Sequence, residues 1–295
     1  MKQIISVAVV NFQARWGDKA YNLERLMGYM ECASKRGADL IIFPEMCLTG
    51  YDDDKDVPKE EKMQVKNAES KYGALAGELA LLAKKYGLYF VVGMPEKDVK
   101  DSRIIYNSAL IGTPSAELYT YRKIHLALDE PNWANAGNEP CLIDTPWGPI
   151  GICICYDVYS FPELIRYYTA KGARLIVNAT AYAKCRGYVK GRTTLESSVL
   201  MNGVYMATAN LCGKDLKNEF WGGSSIIGPS RKMQEVYYYA GGPFGDVSME
   251  EQEMYLATLD LSLASRGIYE ENALLNRPDF RPEVYAKLYS ELVNK

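Results

Sequence analysis

The run Lys35-Arg36-Gly37-Ala38-Asp39-Leu40-Ile41-Ile42-Phe43 decides how this chain is read. A basic pair, a glycine and then an unbroken apolar stretch mark the junction between the end of a helix and a buried strand. Glycine takes the left-handed conformation that stops a helix, and cations in the last turn suit its negative end. Nearly the same run returns at Lys171-Gly172-Ala173-Arg174-Leu175-Ile176-Val177. Looser copies stand at Lys85-Tyr86-Gly87-Leu88-Tyr89-Phe90-Val91-Val92 and Asn202-Gly203-Val204-Tyr205-Met206-Ala207-Thr208. These four helix–glycine–strand units predict an α/β protein built from two pseudo-repeated αβ halves.

Working outward, residues 19–36 carry Leu23, Leu26, Met27 and Met30 at helical spacing, and 74–86 carry Leu75, Leu79, Leu82 and Ala83, so both read as helices. Residues 104–111 and 116–126 read as successive strands turned at Gly112-Thr113-Pro114-Ser115. The stretch from Asp52 to Lys62 reads as a solvated polar loop, 127–140 as irregular, and the basic stretch 184–194 as a loop. A short strand ends at Gly228-Pro229. The tail from Gly241 reads as loop, a strand over 254–261, loop, and a helix over 282–293. No shift in composition marks a linker, so 1–295 is read as one domain.

Composition narrows the classes. A net charge of -3 over 295 residues gives no footprint for nucleic acid or an anionic membrane. No stretch reaches the roughly 20 apolar residues of a membrane span, and Ile4 to Val10 reads as a first strand rather than a signal peptide. Seven cysteines without framework spacing fit a reducing cytoplasm. The single histidine, His125, excludes a metal site built on several His, and no Cys-rich zinc pattern is present, so no such metal site is expected. It also leaves a nucleophilic cysteine to find its base among carboxylates or amines.

Three stretches carry chemistry. In Gly151-Ile152-Cys153-Ile154-Cys155-Tyr156-Asp157 an apolar strand turns polar at Cys155, with a helix start at Pro162. A cysteine at such a turn meets converging N–H groups that favour thiolate; it also reads as one more buried apolar residue, like Cys153. In Phe43-Pro44-Glu45-Met46, Glu45 closes a buried strand, where a carboxylate is placed to act as general base or to cap a helix. In Tyr121-Arg122-Lys123-Ile124-His125-Leu126, strand alternation puts Lys123 and His125 on one face and Arg122 on the other. A buried Lys123 would support a thiolate and an oxyanion; on an exposed edge it would only guard against pairing.

Taken together and in this order, FPE…TGY, YRKIHL, GPIGICICYD followed by FPEL, and GARLIVNATA resemble the nitrilase superfamily, the carbon–nitrogen hydrolases, over nearly the whole chain. The resemblance implies an α-β-β-α sandwich, in keeping with the repeated units. It places the family's triad on Glu45 as general base, Lys123 as transition-state stabiliser and Cys155 as nucleophile, with Glu130 in the slot of a frequent second glutamate. It implies an oxyanion contact from the backbone of Tyr156 and a pocket-lining segment over Asn178–Tyr182, including Thr180 and Tyr182; Trp133 is a candidate aromatic wall. Pocket walls are expected from 46–60, 127–138 and 182–192. Family members usually assemble, so a homodimer or larger homo-oligomer is expected, with the tail from about 265 to 295 packing on a partner subunit.

The expected activity is cysteine-dependent hydrolysis of a non-peptide C–N bond in a small amide or N-carbamoyl compound, through a thioester and with no cofactor. Tyr156-Asp157 stands where nitrile-cleaving members usually have Trp-Glu, and Ser198–Asn202 lacks the charges common there. A nitrilase acting on a small nitrile, or an inactive binding or scaffold protein on the same fold, are the alternatives. A glutamine amidotransferase would need a Cys-His pair, and His125 lies on the lysine's own segment.

Overall fold

The computed structural model describes residues 1–232 and 235–293; Asn294 and Lys295, the end of the expected tail, lie outside them. The chain first builds β1 (Ile4–Asn11), β2 (Leu40–Ile42), β3 (Tyr89–Lys97), β4 (Ile105–Gly112) and β5 (Leu118–Arg122). It continues with β6 (Cys141–Ile143), β7 (Ile150–Ile154), β8 (Leu175–Thr180) and β9 (Tyr205–Asn210). A small hairpin, β10 (Cys212–Lys214) and β11 (Glu219–Trp221), precedes β12 (Ser225–Pro229), β13 (Val236–Gly241) and β14 (Glu253–Asp260).

Two six-stranded sheets result, ordered β14-β1-β2-β3-β4-β5 and β13-β12-β9-β8-β7-β6. In each, three strands run parallel, β1-β2-β3 and β7-β8-β9. One antiparallel strand flanks each trio, β14 or β6, and two more extend the other side, β4-β5 or β12-β13. The pseudo-repeat expected from the sequence is thus present in the topology.

Alternation along the first sheet explains the layers. Val7, Val9, Ile42 and Val91 face the second sheet and pack with Ile150, Ile152 and Ile176. Their neighbours Ala8, Val10, Ile41 and Val92 face outward. There they meet Leu26 and Met30 of α1 (Lys19–Lys35) and Leu75 and Leu79 of α3 (Ala74–Tyr86), which follows the one-turn α2 (Met63–Lys66). Each such side chain, fully buried, contributes about 1.5–3 kcal/mol. The second sheet begins its helices with the single turn α4 (Tyr156–Tyr159) and is covered by α5 (Glu163–Ala170) and α6 (Tyr188–Asn202), through Leu164, Ile165, Leu195 and Val199. The last helix, α7 (Pro282–Val293), buries none of its residues. Among the described residues no helix is long and apolar enough to cross a membrane.

The four junction glycines have φ of 77°, 63°, 103° and 62° at Gly37, Gly87, Gly172 and Gly203, the left-handed region a helix stop needs.

Three local readings are corrected. The strand expected over 116–126 leaves its ladder at Arg122, so Lys123 and His125 do not share a strand face; Lys123 N still donates to Asn107 O, but His125 N is taken by a side chain, that of Asp157. The basic stretch 184–194 is a short 3-10 turn over Lys184–Arg186 running into α6 at Tyr188. Gly191 sits inside that helix because a Cβ there would come within 2.6 Å of the Phe244 ring. The stretch Asp52–Lys62 is not uniformly solvated. Asp52, Asp53 and Lys62 are buried, Lys62 Nζ lies 2.8 Å from Asp53 Oδ1, and Asp52 accepts the backbone N–H groups of Lys217 and Asn218 in the β10–β11 turn.

Candidate active site

β7 is apolar because parallel β8 lies beside it and both of its faces are covered. At its end Cys155 turns the chain sharply into α4, at φ 48° and ψ −98°, a conformation that L side chains adopt only under strain of about 1–3 kcal/mol. Two hydrogen bonds hold it there: its N–H donates to Ala179 O and to Asn178 Oδ1, both at 3.0 Å. Its thiol lines a cavity of about 390 Å³, walled by Tyr51, Tyr156, Tyr159, Tyr182 and Leu126 among others.

Behind Cys155 lies a buried charge cluster. Lys123 Nζ is 2.7 Å from Glu45 Oε1 and 2.6 Å from Glu130 Oε1. Glu45 and Lys123 have no exposed surface. The other Glu45 oxygen accepts from Ala181 N at 2.9 Å, which fixes the carboxylate against the cavity wall. Glu45 reaches this place because β3 passes its turn at Gly93, where a Cβ would sit 2.3 Å from Pro44 O and 2.6 Å from Glu45 Cα. Glu130 Oε1 also accepts from Tyr51 OH at 2.9 Å and Asn107 Nδ2 at 3.2 Å, and its Oε2 accepts from Ala127 N at 3.0 Å.

The electrostatics follow from burial. Desolvation alone would lower the Lys123 pKa, but Glu130 and Glu45 hold it above its ordinary value, so the ammonium is charged. Desolvation raises the Glu130 carboxyl to about 7, against the pull of Lys123 and with help from the Glu45 charge. The Cys155 thiol is also pushed up, first by burial and then by Glu45; Lys123 and the Thr180 side chain pull the other way and lose. The turn's expected preference for thiolate is therefore corrected: at rest the group is a thiol.

The structure brings Glu45, Lys123, Glu130 and Cys155 together. Tyr156 and Tyr182 line the cavity, and Thr180 is fully buried beside the Cys155 thiol. Trp133 does not line it. The indole is buried in a satellite cluster with Met46, Ala68 and Ile105, where an apolar ring belongs, and this corrects its reading as a pocket wall. Asn178 serves the Cys155 backbone instead of the cavity. Of the expected wall segments, Tyr51, Ala127, Leu128 and the run from Tyr182 onward are present, and Asn218 of the β10–β11 turn joins them.

Four further residues serve the site. Asn107 donates to Glu45 at 2.8 Å as well as to Glu130. Tyr51 links Glu130 to the cavity, and Asp215 holds the backbone N–H groups of Tyr51 and Asp52. Asp157 accepts from Tyr121 OH at 2.7 Å and binds His125. Tyr51 and Asp157 stand in the TGY and CYD motifs without an assigned role, and Asn107 carried a signal of another kind: a lone amide in an apolar strand must find a partner. Among the described residues no group of three or more His, Cys, Asp or Glu is arranged to hold a metal ion.

The chain is also similar to known proteins. The chain is 29% identical over 294 residues to a Schizosaccharomyces pombe protein described as a probable nitrilase, covering 97% of this chain and 98% of that one. It is 30% identical over 254 residues to an omega-amidase of Xenopus tropicalis, covering 82% of this chain and 86% of the relative. A solved Saccharomyces cerevisiae structure from branch 10 of the nitrilase superfamily superposes with a TM-score of 0.76 at 26% identity, covering 90% of this chain and 93% of that one. The family model for carbon–nitrogen hydrolases matches residues 6–240, and the chain belongs to that family.

Proposed function

We propose that this protein hydrolyses the C–N bond of a small amide or N-carbamoyl compound through a thioester on Cys155. One observation carries the reading: a fully buried Lys123 bracketed by Glu45 and Glu130 behind a cysteine that opens on a cavity. Burying three such charges costs several kcal/mol and stabilises a fold little compared with apolar packing, so the cluster is more economically read as catalytic.

The Glu45 carboxylate removes the Cys155 proton as the sulfur attacks the carbonyl carbon. Because the thiol is protonated at rest, base and nucleophile act in the same step. The S–C bond forms and the carbonyl oxygen gains negative charge, met by Lys123 Nζ and the N–H of Tyr156, which as the first residue of α4 stands outside the helix ladder. When the oxyanion collapses, the C–N bond breaks and Glu45 passes its proton to the departing nitrogen, giving ammonia or an amine. Water, deprotonated by Glu45, then attacks the thioester, releasing the acid and restoring the thiol. Glu130 and Tyr51 keep Lys123 in place throughout.

The Tyr156-Asp157 pair favours amides over nitriles. Ammonia release from a panel of small amides, carbamoyl compounds and nitriles tests the reading. Turnover of an amide or carbamoyl compound, lost in Cys155→Ala, is expected; turnover of nitriles alone, or of nothing, overturns it.

A further inference from the structure

The β10–β11 hairpin and the loop that follows Glu45 are far apart in the chain, yet each puts an aspartate into the other. Asp215, in the hairpin's turn, accepts the backbone N–H of Tyr51 at 2.6 Å and that of Asp52 at 3.0 Å, both on Oδ2. Asp52, in the loop, accepts the backbone N–H groups of Lys217 and Asn218 and the side-chain amide of Asn218 in return. Asp52 is buried, and Asp215 Oδ1 is buried with no hydrogen-bond partner among the described residues. Burial raises the Asp215 carboxyl to about 6, with a further push from the Asp52 charge, against the pull of the N–H groups it accepts. Two carboxylates drawn together out of water are a poor way to stabilise a fold, and such arrangements gather where a site needs geometry.

What the exchange fixes is Tyr51. Asp215 takes the N–H groups on either side of its Cα, and the carbonyls are taken as well. Gln64 Nε2 donates to Tyr51 O at 3.2 Å and to Asp52 O at 2.8 Å, and Trp16 Nε1 donates to Asp52 O at 2.8 Å. The Tyr51 ring stands edge-on to Phe220 of β11, centroids 6.1 Å apart. The hairpin therefore holds Tyr51 by backbone and by ring. The phenol so placed donates to Glu130 Oε1 at 2.9 Å, and the same oxygen lies 2.6 Å from Lys123 Nζ. One line of contacts runs from Asp215 through Tyr51 and Glu130 to the ammonium that meets the oxyanion.

Resting on the hydrolase reading, we propose that Asp215 is a positioning residue for the reaction: by holding the backbone of Tyr51 it sets the phenol on Glu130 and so the place of Lys123. Its work is geometric, the presentation of one accepting oxygen at one point, and its charge is incidental to it. Lys123 acts on the transition state, so a misplaced Tyr51 lowers kcat and leaves KM little changed.

The test sets charge against position, on whichever amide or carbamoyl compound the intact enzyme turns over. Asp215→Asn is neutral but keeps an accepting oxygen, and should retain kcat within about threefold. Asp215→Glu keeps the charge but carries its oxygens one methylene too far, and should lose about ten- to a hundredfold in kcat. A role for the charge itself would reverse that order. Tyr51→Phe, which removes the phenol, should also be slow, and the double variant Tyr51→Phe with Asp215→Glu no slower than the slower single one, because both changes reach Lys123 through the same hydroxyl. A merely structural role gives additive losses and follows melting temperature, measured alongside. Should Asp215→Glu not fold, Asp215→Ser, which removes the carboxylate without adding bulk, takes its place in the cycle. Additive losses, a native kcat in the displaced variant, or an Asp215→Asn enzyme as slow as it, overturns the proposal and leaves the hydrolase reading standing. No ammonia from the intact enzyme on any amide or carbamoyl compound overturns both.

Discussion

The carboxylate of Asp157 binds His125 twice, accepting its backbone N–H at 2.9 Å and lying 2.8 Å from its ring Nδ1. The imidazole is stacked flat on Phe161, ring centroids 3.6 Å apart, and Tyr121 donates to the other Asp157 oxygen at 2.7 Å. The only histidine is thus a strut between the lysine's segment and the cysteine's turn. His125→Asn is expected to lose about ten- to a hundredfold in turnover, as a supporting group does, and still to form the acyl-enzyme in single-turnover kinetics. A His125 variant as inert as Cys155→Ala, beside an active Glu45→Ala, would refute the assignment of the base.

Lys123→Ala removes the only cation between two buried carboxylates. Activity should fall to background, and stability to chemical denaturation should drop by about 3–5 kcal/mol, the cost of an uncompensated buried charge. A variant of near-native stability would show that the carboxylates relax into solvent, contrary to the burial of Glu45.

Glu130 makes a pH-dependent contribution. Its carboxyl is raised from 4.5 to about 7, so between those values the folded chain holds a proton that the unfolded chain has released. Its contribution is complete below the unfolded value and is lost as pH rises through about 7, by about 3 kcal/mol in all. Melting temperatures across pH 5 to 8 should therefore fall more steeply in the native protein than in Glu130→Gln. Asp215, raised by burial to about 6, leaves a residual slope of the same sign. Parallel profiles for the two proteins would remove Glu130 as the titrating group.

Cys155 lies at a positive φ that glycine tolerates without penalty. Cys155→Gly should be inactive and at least as stable as the equally inactive Cys155→Ala, whereas Cys153→Ala should retain activity. Thermal melts with an ammonia assay on the three variants decide this; a Cys155→Gly protein clearly less stable than Cys155→Ala would show that the turn is not strained.

The sequence announces this fold where local chemistry and tertiary packing agree. The glycines at 37, 87, 172 and 203 end helices because their backbone demands it, and Val7 and Ala8 face opposite layers because strands alternate. It misleads where a residue's role depends on a distant neighbour. The start of α6 shows no apolar stripe, and Gly191, which reads as a loop residue, is there to admit Phe244. Trp133 resembles a pocket wall until Met46 and Ile105 enclose it. Asp52 and Asp53 look solvated until the β10–β11 turn and Lys62 close on them. At the site, Glu45, Lys123 and Cys155 are legible from their order along the chain. The protonated thiol is not, because it depends on how deeply the cysteine is buried beside Glu45.

β14 pairs with β1 along its whole length, Asp260 opposite Ile4 through Glu253 opposite Asn11. β1 thus waits for a partner that is made only after β13. Until the chain has been made as far as Asp260, β1 keeps an open edge of eight residues, most of them apolar, and β2, which leads to Glu45, hangs from that unfinished side. Such contacts between distant parts of a sequence form slowly and leave an exposed edge prone to pairing with other chains. Synthesis is thus itself a vulnerable interval for this protein: a nascent chain stalled short of Glu253 lacks the strand that closes this edge and is a candidate for chaperone capture or aggregation.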